Sequence, residues 1–132
     1  MRVERQLSLI LENRPGVLAD VCGDLGDQDI DIEAIYVENL VDHSVVRMVV
    51  SDPGRAIHLF GAAGVLVFEN EVIAVPLKDR PGALATLAKR LGKAGVNIDY
   101  LYASRTQADG KATVMLRVDD VQRARAAIAR SR

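Results

Sequence analysis

The sequence predicts an α+β protein made of two tandem βαββαβ units, and three observations carry that prediction. One stretch recurs within the chain at an offset of 66 residues, both copies switch between strand-like and helix-like apolar spacing in the same order, and proline, glycine and aspartate punctuate both at matching places. The 132 residues are 49% hydrophobic and 27% charged, which supplies apolar side chains for one compact domain or two small ones.

The repeat is plainest where Asn13-Arg14-Pro15-Gly16-Val17-Leu18-Ala19 is answered by Asp79-Arg80-Pro81-Gly82-Ala83-Leu84-Ala85. From Leu11–Tyr36 against Leu77–Tyr102, ten of 26 positions are identical without a gap. Leu7, Leu9 and Leu11 alternate as a half-buried strand does, and Ile73, Val75 and Leu77 repeat the alternation. A helix follows in each copy: Leu18, Val21, Cys22 and Leu25 fall at i, i+3, i+4 and i+7, matched by Leu84, Leu87, Ala88 and Leu91. Proline near the first turn and Gly26 or Gly92 near the last mark its ends. This stripe predicts burial of Leu18, Leu25, Leu84 and Leu91 and makes Cys22, whose counterpart is Ala88, a core residue.

Ile32–Val37 and Ile98–Tyr102 read as second strands, turning at Asp42-His43-Ser44 and at Ala108-Asp109-Gly110 into third strands, Val45–Val50 and Thr113–Val118. Asp52-Pro53 and Asp119-Asp120 then open second helices. In copy one Val65–Phe68 forms a fourth strand. Residues 65–77 hold no turn residue stronger than Asn70, so one long bent strand is expected to close copy one and open copy two. The sequence stops at Arg132, just after the second helix of copy two, which is therefore expected to lack its own fourth strand and to leave a sheet edge for a partner. The units are placed at 1–70 and 71–132. Two strand–helix–strand halves on an antiparallel sheet with helices on one face give a ferredoxin-like arrangement, which says little about function by itself.

Composition narrows the function. Every apolar run is far shorter than the roughly 20 residues that span a bilayer, and no basic-then-apolar leader opens the chain, so a cytoplasmic protein without membrane contact is expected. Cys22 is the one cysteine, and with His43 and His58 alone beside it neither a disulfide nor a zinc site is expected, nor any other cofactor. There is no Gly-x-Ser-x-Gly, His-Glu-x-x-His or phosphate loop, and an enzyme is not expected.

The net charge of −1 conceals two unlike halves: residues 1–70 carry twelve Asp/Glu against five Arg, and residues 71–132 carry twelve Lys/Arg against six Asp/Glu. Either these are two solvated surfaces, or opposite fields orient the lobes or two subunits. Asp24 and Asp27 correspond to Arg90 and Lys93, so the first helices would set acid against base if units joined along their second strands. Arg117, Arg123, Arg125, Arg130 and Arg132 raise nucleic-acid binding as an alternative. With 4% aromatic residues, no stacking pair on the strands and an acidic lobe, solvated helix charge is the better reading.

The chemistry concentrates where the first strand meets the first helix. Gly16 and Gly82 let a group approach the backbone, and the amides of a helix's first turn attract a carboxylate. Asn13 or Asp79 could accept from an α-ammonium, with Asp31 or Asn97 at the start of the second strand as a further polar contact. The plain alternative is a capped helix after a Pro-Gly turn, which residue chemistry alone favours.

Asp79-Arg80-Pro81-Gly82-Ala83-Leu84-Ala85 followed by Gly95-Val96-Asn97-Ile98-Asp99 resembles the signature of the ACT domain, the amino-acid-sensing module of many biosynthetic enzymes. Arg14-Pro15-Gly16-Val17-Leu18-Ala19 with Asp29-Ile30-Asp31-Ile32-Glu33 repeats it, and nearly the whole chain is similar to small stand-alone tandem ACT proteins. The resemblance implies an effector held between two ACT units, by the strand-to-helix loop of one and the second-strand region of the other. It points to Asn13, Arg14, Pro15, Gly16, Val17, Leu18, Asp31 and Ile32, and to Asp79, Arg80, Pro81, Gly82, Ala83, Leu84, Asn97 and Ile98. The ligand implied is a free amino acid; the partners implied are a second copy, as a homodimer, and an amino-acid biosynthetic enzyme. Asp29 in place of glycine and Asp31 in place of asparagine depart from the pattern, so the two copies are expected to differ in affinity, or one alone to bind.

Overall fold

A computed structural model describes residues 1–106 and 110–130. Six strands and four helices alternate along them: β1 (Arg2–Glu12), α1 (Val17–Asp27), β2 (Ile32–Asn39), β3 (His43–Val50), α2 (Pro53–Ala62), β4 (Leu66–Lys78), α3 (Ala83–Lys93), β5 (Ile98–Thr106), β6 (Lys111–Val118) and α4 (Val121–Ala129). The chain forms two compact units, one of Arg5–Asn70 and one of Met1–Glu4 together with Glu71–Arg132. Among the described residues no helix is long and apolar enough to cross a membrane. Ala108, Asp109 and Arg132 lie outside them.

In the unit Arg5–Asn70 the antiparallel order is β2, β3, β1 and then the first residues of β4. Leu7 pairs with Met48 and Leu9 with Val46, which puts the alternating leucines and every second residue of β3 on one face. α1 lays Val21 and Leu25, and α2 lays Ala56 and Phe60, on that face; Leu7, Leu9, Leu25, Met48 and Phe60 are buried. Beside β1, the Arg5 guanidinium meets the Glu69 carboxylate and Gln6 Nε2 donates to Asn70 Oδ1 at 3.1 Å. Gln6 is itself fully buried, so this bond satisfies a polar group that water cannot reach. β2 slips register between Ile32 and Ala34, a bulge that re-aims the rest of the strand. Its turn is Leu40–Asp42 rather than Asp42–Ser44: Leu40 N–H donates to His43 O at 2.9 Å, and His43 already belongs to β3.

The second unit repeats the plan. Ile73 pairs with Leu116 and Val75 with Val114, while Leu101 lies opposite Leu116 on the other side of β6. Leu87 and Leu91 of α3, with Ala124, Ala127 and Ile128 of α4, cover Ile73, Val75, Leu116 and Val118. β4 is the one long strand expected of residues 65–77. No strand follows α4 among the described residues, but the fourth position is filled: β1 is the neighbour of β4, and its first residues, Met1–Glu4, belong to this unit. The open edge expected there is thus corrected. Strand pairing is non-local, and the eleven residues of β1 exceed what one unit uses.

Two burial expectations are also corrected. Leu25 and Leu91 are fully buried, but Leu18 is 39% and Leu84 41% exposed, and Cys22 is half-buried. Leu18 and Leu84 sit in the first helical turn, where the chain has just left the strand through a Pro-Gly corner, and neither joins the core of its unit. Burial pushes the Cys22 thiol above its ordinary pKa, which keeps it protonated and poorly nucleophilic.

Candidate functional site

Both strand-to-helix corners adopt one unusual backbone shape. Gly16 at φ 90° and Gly82 at φ 86° are the N-cap residues of α1 and α3, in the left-handed region that favours glycine. A Cβ on either would meet nothing within 4 Å, so conformation and not crowding demands glycine. The corner is closed by Val17 N–H to Arg14 O at 3.5 Å and by Ala83 N–H to Arg80 O at 3.3 Å. Neither helix has a side-chain cap. α2 and α4 do: Asp52 accepts from Arg55 N and Asp120 from Arg123 N. Two helix starts are therefore sealed by a carboxylate of their own, and two have no side-chain cap on their first-turn amides.

The two uncapped corners differ in their surroundings. In the first unit Arg14 is paired with Glu12 at 2.7 Å, and Asn13 Nδ2 donates to Asn39 Oδ1 at 2.9 Å and to Val41 O at 3.0 Å. Asn39 Oδ1 also accepts from Val41 N, holding this β-branched residue at φ 73°. The first loop is thus latched to the β2–β3 turn and its arginine neutralised. In the second unit Lys78 stands in place of Glu12, and the loop borders a groove of about 280 Å3 lined by Leu77, Lys78, Asp79, Arg80, Ala83, Leu84, Ala103, Ser104, Ala112 and Val114. The repeat explains the space. Ala83 and Ala103 replace Val17 and Val37, and Ser104 replaces Glu38, which in the first unit pairs with Arg47 at 3.2 Å.

Of the expected residues, the structure brings Asp79, Arg80, Ala83 and Leu84 to this groove, with Pro81 and Gly82 forming the corner between them. Asn97 and Ile98 do not line it. Asn97 N–H donates to Asp119 Oδ1 and its Nδ2 to Asp99 Oδ1, each at 2.9 Å, while Ile98 pairs with Val118. Likewise Asp31 N–H donates to Ser51 Oγ at 2.9 Å and Ile32 pairs with Val50, away from Asn13–Leu18. In each unit the two sets flank opposite ends of an eleven-residue helix, roughly 16 Å apart, too far for one small ligand to touch both. Leu77, Lys78, Ala103, Ser104, Ala112 and Val114 were missed as site residues by sequence reasoning. The pairing of Leu77 with Ala112 and of Ala103 with Val114 places them, and the small residues Ala103 and Ser104, standing in the repeat where copy one has Val37 and Glu38, were the available signal.

Behind the sites, Asp29 takes φ 55° where the second unit has Gly95 at φ 72°, so the glycine missing from copy one is replaced by a residue in the same left-handed conformation. Arg90 and Lys93 share a groove with Ala94, Ala127 and Arg130, which sets that side of α3 toward α4.

The model of the ACT domain pair matches residues 1–132, and the chain belongs to that family. ACT domains are regulatory, which places the chain among ligand-binding regulatory modules. Among solved structures it is similar to protein BT0572 from Bacteroides thetaiotaomicron, at 28% identity and TM-score 0.92 over 97% of this chain and 88% of that one. It shares its fold with the ligand-free regulatory subunit of aspartate kinase from Thermus thermophilus, at 16% identity and TM-score 0.71 over 98% and 97% of the two chains. Aspartate kinase from Synechocystis matches at 23% identity and TM-score 0.63, over 98% of this chain and 26% of that one. No curated protein matches the sequence.

Proposed function

We propose that this chain is a non-catalytic regulator that binds a free amino acid, and that the second unit is the one that holds it. The observation that carries the reading is the groove beside α3, where an uncapped helix start, Lys78 and Arg80 favour a carboxylate and Asp79 offers an acceptor for an ammonium. Its volume of about 280 Å3 suits a small ligand whose side chain would lie against Leu77, Leu84 and Val114. The proposed units are 1–70 and 71–132. Because loop and second-strand residues stand apart within each unit, Asp31 and Ile32, or Asn97 and Ile98, would complete a site only from another ACT unit. We therefore keep the homodimer as part of the proposal, in a cytoplasmic setting and without nucleic acid. A second reading, a subunit that docks on a separate biosynthetic enzyme, is favoured by the shared fold with a regulatory subunit of aspartate kinase.

The test is a thermal-shift screen of the twenty amino acids. A ligand bound only by the folded state at about a hundred times its Kd adds roughly 2.7 kcal/mol, a rise of several degrees in Tm for a chain of this size. Ala103→Val, which restores the side chain of the first unit inside the groove, is expected to remove the shift; Asn13→Ala, on the first unit's latched loop, is expected to leave it. If no amino acid moves the midpoint and an aspartate kinase or other enzyme does, the docking reading replaces the sensing one.

A further inference from the structure

The groove beside α3 carries more positive charge than a neutral amino acid can match. Of the residues that line it, Lys78 and Arg80 are cationic and Asp79 alone is acidic; all three are exposed, and the remaining wall is apolar but for Ser104. Among the described residues neither Lys78 nor Arg80 has an ion-pair partner. A neutral amino acid brings one carboxylate and one ammonium. With the carboxylate on one cation and the ammonium on Asp79, the second cation stays uncompensated beside walls that solvate charge poorly.

The repeat shows which charge is missing. In the first unit the matching positions are Glu12, Asn13 and Arg14, and Glu12 lies against Arg14 at 2.7 Å, so that corner carries its own carboxylate. In the second unit Lys78 replaces Glu12: Arg80 keeps the place of Arg14, loses the acid and gains a like charge two residues away. Ser104, standing where the first unit has Glu38, brings no acid back. Like charges held on one small groove repel, and an added anion relieves both.

Resting on the amino-acid reading given above, we infer that the ligand of this groove carries two carboxylates: a dicarboxylic amino acid of the size of aspartate or glutamate. Its carboxylates take Lys78 and Arg80, one of them supplying the charge that Glu12 supplies in the first unit, and its ammonium goes to Asp79. Three charges of the ligand then meet three of the protein. The planar guanidinium of Arg80 can hold a carboxylate through two parallel hydrogen bonds. The short methylene stem lies against Leu77 and Leu84, and a groove of about 280 Å3 has space for it.

Calorimetry on the full chain tests this by setting each acid against its amide, asparagine or glutamine, which has the same shape and lacks one charge. Aspartate or glutamate is expected to bind about tenfold more tightly than its amide, and the preference is expected to shrink as salt is raised. Lys78→Glu, which returns the first unit's residue at an exposed position, is expected to cancel the preference, as is Arg80→Gln. Succinate and glutarate keep both carboxylates and lack the ammonium, so they separate the two readings. If they bind in a Lys78-dependent way and no amino acid does, the two-carboxylate assignment stands and the amino-acid reading falls. A neutral amino acid that binds as tightly as the acids, with Lys78→Glu without effect, overturns the assignment and leaves the amino-acid reading in place. An equal response to sulfate at matched ionic strength overturns the assignment as well, and a groove that binds none of these overturns both.

Discussion

Leu25→Ala and Leu91→Ala are each expected to destabilise the protein by about 2–5 kcal/mol, the cost of lost apolar transfer plus the cavity left behind. Both side chains are fully buried between a helix and its sheet and occupy equivalent places in the repeat. A domain of ordinary stability has roughly 5–15 kcal/mol in total, so either change removes a large share of it. Leu18→Ala and Leu84→Ala, 39% and 41% exposed, are expected to cost less than about 1 kcal/mol. Urea unfolding followed by circular dichroism measures all four, and tyrosine emission provides a second probe in a chain with three Tyr and no Trp. Equal midpoint losses for Leu18 and Leu25 would contradict the burial described above.

The second large effect concerns the corners. Gly16→Ala and Gly82→Ala each force an alanine into the left-handed region at φ 90° and φ 86°, an expected cost of roughly 1–3 kcal/mol with no steric clash to add to it. Gly26→Ala is the control of opposite sign: this glycine lies within α1, a Cβ there meets nothing within 4 Å, and alanine is expected to stabilise by about 0.5–1 kcal/mol. Asp29→Gly, at φ 55°, is likewise expected to gain stability. The two corner variants also separate the units. Gly82→Ala alters the backbone of the proposed carboxylate corner and is expected to abolish the amino-acid thermal shift, whereas Gly16→Ala is expected to lower Tm and leave the shift in place. A shift lost only in Gly16→Ala would move the ligand to the first unit.

Much of this architecture was legible in the residues. Alternating Leu7, Leu9 and Leu11, the 3.6-residue spacing of Leu87 and Leu91, and aspartates at Asp52 and Asp120 are local signals, and each element they announce is present. The ends of elements were less so: β1 begins at Arg2, before any alternation, because its first residues serve the other unit. The exposure of Leu18 and Leu84 was hidden because periodicity names a face and not how far along the helix the sheet extends beneath it. The corner Asp79–Leu84 was legible through Pro-Gly chemistry, but the far wall of its groove was not. Ala103, Ser104 and Ala112 reach it only through strand register, and small residues on a strand carry no signal until the bulky Val37 and Glu38 of the other copy are set beside them.

The strands β1 and β4 each begin in one unit and finish in the other. Such a chain cannot be divided at the midpoint of its repeat without loss. A fragment cut after Asn70 would carry Met1–Glu4 with nothing to attach to, and the complementary fragment would start inside a strand and lack the residues that border it. The first half of the repeat lends its opening residues to the second, so the second half of the sequence taken alone does not carry every residue of the unit it founds.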